Sequence, residues 1–192
     1  GHWLTVSAAG TALATLAWNG HAAASEGVAA PLHLASDIVH LLAAGAWIGA
    51  LASLVILLFP IGSAMSATRL DVARRALSDF STTGSIIVGL IVITGVANIG
   101  FILGRDTLAV LFTNLYGQLL IAKIALFFAM LGLAAANRFR LTPRLASAMA
   151  LNDSARAVYM LRFSLITEAL AAMLILALVA WLGTLAPMGD AN

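Results

Sequence analysis

The chain has no cysteine and little charge: of its 192 residues, 9% are charged, against about 25% in soluble domains. The missing thiols exclude disulfides, thiolate metal sites and iron–sulfur clusters. A soft metal would have to take histidine, methionine or carboxylate ligands. The net charge of +2 comes from a few arginines, and there is no basic patch of the kind nucleic-acid binding needs. Nucleotide-binding loops, nucleophile elbows and zinc-protease motifs are missing as well, so no enzymatic activity is expected. No basic leader with a small-residue cleavage site opens the chain, and no signal peptide is expected.

Apolar residues dominate instead. They make up 62% of the chain, with a mean hydropathy of +1.03. A transmembrane helix needs about 20 apolar residues in a row, and five runs approach or exceed that length, at about 3–18, 32–59, 85–103, 115–136 and 161–185. The first is short, as expected of a chain whose beginning lies upstream. The runs lack the period-two alternation of membrane strands. The expected fold is therefore an all-α integral membrane protein, a single bundle of about five transmembrane helices. Residues 64–80 read as a separate amphipathic helix lying at the interface.

The connections set the orientation. Arg69, Arg74 and Arg75 fall between the second and third runs, and Arg138, Arg140, Arg144 and Arg156 between the fourth and fifth. The positive-inside rule places these loops in the cytoplasm. Segments 21–31 and 104–114 and the C-terminal tail then face outward, toward the periplasm of a bacterium.

Chemistry concentrates at the start of the second run, where His33, Asp37 and His40 follow Pro31. Ionisable residues inside a membrane span are costly and mark functional sites by default. Their spacing puts all three on one helix face. A helix rises 1.5 Å per residue, so His33 and His40 lie about 10 Å apart along the axis, too far to bind one ion together. His33 with Asp37 can share an ion, and so can Asp37 with His40. In one arrangement His33 and Asp37 bind a metal and His40 acts as a relay one step deeper; in the other Asp37 orients a histidine. His21, in the adjacent loop, can supply a missing ligand, and Trp47 continues the stripe seven residues beyond His40. Alone, His33 or Asp37 reads as a hydrogen-bonded interfacial residue; together with His40 and His21 they read as a metal site.

Other polar residues within the runs are Asn98, suited to an interhelical hydrogen bond, and the charges Lys123 and Glu168. Those two can pair if their helices adjoin, line a pathway, or play a structural part. The six methionines suit Cu(I) by chemistry, but core packing accounts for them.

These residues resemble the copper-resistance protein D (CopD) family of bacterial inner-membrane proteins. The matching stretches are Trp18-Asn19-Gly20-His21-Ala22, His33 through His40 with Trp47 and Gly49, Thr94-Gly95-Val96-Ala97-Asn98, Tyr116-Gly117-Gln118 through Lys123, Asn137-Arg138 with Pro143, and Arg162 through Glu168. The resemblance implies copper handling at the inner membrane, usually described as uptake. It also implies a periplasmic copper carrier of the copper-resistance C type as partner. On that analogy His21, His33, Asp37 and His40 form the copper site, and family members carry further spans before the matching region.

The leading expectation is thus a membrane protein in homeostasis and resistance that takes copper from the periplasmic side and passes it inward. A second reading is a b-type haem electron-transfer protein, which would need His21 or a partner chain to complete a bis-histidine site. A third is a copper sensor or assembly factor that binds the metal without moving it.

Overall fold

The computed structural model describes residues 2–17, 30–59, 66–102, 110–151 and 153–185. Its elements are α1 (His2–Leu16), α2 (Ala30–Leu58), α3 (Ala67–Ile102), α4 (Val110–Thr113), α5 (Leu115–Ala136), a π-turn (Asn137–Leu141), α6 (Thr142–Ala150) and α7 (Ala155–Leu182). Among the described residues there is no strand. Four helices among the described residues are long and apolar enough to cross a membrane, those beginning at Ala30, Ala67, Leu115 and Ala155. α1 is apolar but only 15 residues long.

Local chemistry fixes several boundaries. Pro31 occupies the first turn of α2, where a missing N–H costs nothing. Ser66 caps α3, its hydroxyl accepting from the Arg69 N–H at 3.2 Å, and Asn114 caps α5 by accepting from the Tyr116 N–H at 2.9 Å; both are favoured residues for that position. At the C-terminus of α2 the Leu58 carbonyl, which has no intrahelical donor, accepts from Arg162 Nε at 2.9 Å.

One boundary differs from expectation. Residues 67–80 do not form a helix of their own; they run without a break into the following span as the 36-residue α3. The intervening Ser81, Thr82, Thr83 and Gly84 are weak helix formers, but a single interior glycine costs only about 1 kcal/mol. No proline interrupts the ladder.

The chain divides into two compact units, one of Gly1–Trp47, Ile86–Ala122 and Leu178–Asn192, the other of Ile48–Ser85 and Lys123–Ala177. In the first, Ala43 and Trp47 of α2 are buried, as are Ile91 and Thr94 of α3 and Tyr116, Leu119 and Leu120 of α5. Leu13 of α1 lies over Gly45, where an added Cβ would meet its Cδ1 at 2.5 Å. In the second, α7 buries Val158, Leu161, Leu165, Glu168 and Ala172, an inward stripe with alternating steps of three and four residues. Its outer face leaves Phe163, Leu170 and Met173 exposed. An apolar outside is what a lipid solvent permits, since every backbone polar group is satisfied within the helix.

Candidate functional site

In the first unit the polar residues of α2 meet α3 in antiparallel order. His33 is only 4% exposed, and its ring stacks on Phe101 with centroids 4.6 Å apart and planes 24° from parallel. One turn on, Asn98 donates from Nδ2 to Asp37 Oδ1 at 3.2 Å. A turn beyond that, His40 Nδ1 lies 2.9 Å from Thr94 Oγ1, and Ser36 donates to the Thr94 carbonyl at 3.4 Å. Gly95 gives the imidazole its room: a Cβ there would come within 3.5 Å of His40 Cε1.

The Thr94 hydroxyl has one hydrogen and three acceptors in reach: the Leu90 carbonyl at 2.6 Å, the Ile91 carbonyl at 3.4 Å and His40 Nδ1 at 2.9 Å. The short contact to the Leu90 carbonyl favours donation there, which leaves the hydroxyl an acceptor toward His40 and the ring proton on Nδ1. In that tautomer Nε2 is the unprotonated nitrogen, the form in which imidazole binds a metal. A hydroxyl held by its own backbone thus orients a candidate ligand from outside the ligand set.

The residues singled out from sequence separate into groups. His33, Asp37 and His40 share the α2 face toward α3, but each engages its own partner. Among the described residues no three histidine, aspartate or glutamate side chains converge on one point. The described contacts form a ladder of steps along the two helices. His21 lies outside the described residues. Trp47 is buried on the same α2 stripe, and Lys123 is half-buried on α5.

Glu168 belongs to the second unit. It accepts a hydrogen bond from Asn137 Nδ2, and both residues are buried. Asn137 opens the π-turn, in which the Thr142 N–H bonds the Asn137 carbonyl five residues back. Pro143 follows and has no N–H to restore the ordinary ladder. Asn137→Leu is expected to lower stability by about 1–3 kcal/mol, because a buried acceptor loses its donor. Asn137→Leu with Glu168→Leu should recover most of that loss, since replacing both partners by apolar groups is close to neutral. Thermal unfolding of the purified protein in detergent compares the two.

Sequence reasoning did not single out Thr94 as the group that orients His40. The signal available was a threonine within an apolar run, close to a glycine small enough to admit a ring.

Comparison with known proteins bears on this arrangement. The family model described as copper resistance protein D matches residues 74–182. Copper resistance protein D of Pseudomonas syringae pv. tomato is 44% identical over 183 residues, which is 95% of this chain and 58% of that protein. Inner membrane protein YebZ of Escherichia coli strain K12 is 35% identical over 133 residues, 68% of this chain and 42% of that protein. The chain therefore spans about half the length of these relatives. No solved structure matches it. With a family model covering more than half of its residues, and a 44% identical relative matched over 95% of it, the chain belongs to the copper resistance protein D family.

Proposed function

We propose that this chain forms the copper-handling part of a bacterial inner-membrane protein, accepting copper on the periplasmic side and passing it toward the cytoplasm. The observation that carries this reading is the α2–α3 ladder, with His40 Nδ1 held on Thr94 at 2.9 Å. In the tautomer which that contact favours, Nε2 is the nitrogen able to bind a metal, within a helix long enough to span a bilayer. The copper assignment draws support from the name of the Pseudomonas relative. The direction rests on the arginine-rich connections, which the positive-inside rule assigns to the cytoplasm.

In this mechanism copper is the cargo. His33, with His21 from the preceding segment, takes it from a periplasmic carrier of the copper-resistance C type. Asp37 lies one turn further along α2, and His40 receives the ion about 10 Å from His33 along the axis. Separate one- or two-ligand steps suit movement, because a closed cage of three or four ligands would retain the ion. Trp47, Asn98, Lys123 and Glu168 act as pathway or structural groups. No bond of a substrate is made or broken, so the protein is a binder and conductor rather than an enzyme.

The test is copper retained by the purified protein after loading and desalting, read by mass spectrometry with an absorption spectrum on the same sample. About one copper per chain, lost in His33→Ala/His40→Ala, is the expected result. Unchanged copper in the double variant would sink the site. A haem spectrum without copper would move the chain to electron transfer.

A further inference from the structure

Away from the histidines, the second unit holds a cavity of about 250 Å³ whose lining includes Arg74, Ser78 and Ser81 of α3 with Arg138 and Thr142. Arg74, Ser78 and Ser81 sit at i, i+4 and i+7, so one face of α3 supplies a guanidinium and two hydroxyls. Opposite them the π-turn supplies Arg138, and the first residue of α6 supplies Thr142.

Both arginines are held by one part of the group and leave N–H donors over. Arg138 Nη1 donates to the Ser81 carbonyl at 2.9 Å and to Ser85 Oγ, and its guanidinium carbon lies 5.0 Å from the Phe139 ring centroid. Its Nε and Nη2 hydrogens take no described partner. Arg74 donates to Asp71 from Nε at 3.3 Å and Nη2 at 3.0 Å, leaving Nη1. Asp71 serves Arg75 as well, at 2.6 Å, whereas no described carboxylate pairs with Arg138. The Thr142 hydroxyl is buried with no hydrogen-bond partner. The cavity thus gathers unused guanidinium and hydroxyl hydrogens and carries positive charge.

That donor set matches a phosphate, whose oxygens accept in several directions and which arginine grips with a planar fork. The volume is several times the ~30 Å³ share of one water, enough for a phosphodiester. The rest of the lining is apolar, Leu77, Pro143 and Ala146, and Phe139, whose ring lies 5.0 Å from the Arg138 guanidinium carbon, is 69% exposed. A phosphate bound here would have hydrocarbon beside it. Basic pockets between membrane helices bind anionic headgroups in this way. We propose that the cavity is a binding site for the phosphate of an anionic phospholipid, with Arg138 as the principal anchor and Arg74, Ser78 and Thr142 completing the cradle.

This site is independent of the copper reading. The test is native mass spectrometry of the full chain in detergent, after delipidation and addition of phosphatidylglycerol or phosphatidylcholine with matched acyl chains. Wild-type protein is expected to retain phosphatidylglycerol about tenfold more strongly. Arg138→Gln also removes the anchor on Ser81, so Arg74→Gln/Ser78→Ala, which leaves that anchor alone, is the second variant. Both variants should lose the preference while retaining wild-type helicity by circular dichroism. Equal retention of the two lipids, or an unchanged preference in Arg74→Gln/Ser78→Ala, would overturn the proposal. So would displacement of phosphatidylglycerol by inorganic phosphate at equal concentration, which would assign the cavity to the free anion.

Discussion

His40→Ala is expected to weaken copper binding by at least about 100-fold, and Thr94→Val by about 10–100-fold, the range found when a group that orients a metal ligand is removed. The two losses have different causes. Alanine at position 40 removes the imidazole. Valine at position 94 keeps the shape of threonine but removes the acceptor for the Nδ1 proton, while the Leu90 carbonyl keeps its helical partner. His40 then loses that hold on its Nδ1 proton. Thr94→Ser, which retains the hydroxyl, should bind as wild type. Competition titration with a copper chelator reads all three, and wild-type affinity in Thr94→Val would show that the 2.9 Å contact does not tune the site.

Gly117→Ala should be the most damaging single-atom addition in the first unit. A Cβ at that position would lie 2.2 Å from the Leu111 carbonyl oxygen and 2.6 Å from its Cα. Those atoms are backbone, so no side-chain rotation relieves the overlap. α4 would have to move off the start of α5, and the Asn114 cap between them would be disturbed. Overpacking of this kind costs about 1–3 kcal/mol or more. Gly45→Ala gives the contrast: its obstacle is Cδ1 of Leu13, the far end of a flexible side chain, and a rotamer change absorbs it. The midpoint of thermal unfolding in detergent should fall for Gly117→Ala well below that of Gly45→Ala; equal midpoints would contradict the close approach of α4.

The long helices were legible because hydrocarbon imposes a length, and an uninterrupted apolar run meets it. The continuity of α3 was not legible. Ser81, Thr82, Thr83 and Gly84 look like a connection when local propensity is the only guide, and packing of the unit outweighs that propensity. The α2 stripe was legible from spacing alone, since His33, Asp37 and His40 fall on one face by helix geometry. Their partners were not. Which residue of α3 stands opposite His40 depends on the register of two helices 54 positions apart in sequence, and no local pattern encodes it. Glu168 was visible as a charge in an apolar run. Its hydrogen bond from Asn137 depends on the π-turn, whose only outward sign is a proline six residues beyond Asn137.

That π-turn gives the second unit one residue of slack. The five residues Asn137–Leu141 are closed by a hydrogen bond reaching five residues back rather than four. Five residues at that wider pitch and four at the ordinary one each turn through about 400°. Losing a single residue from the segment would therefore close it to an ordinary turn and leave Thr142 and α6 near their present phase. The same deletion in an unbroken helix would rotate everything after it by about 100°. Length changes that would unseat α6 elsewhere are absorbed here.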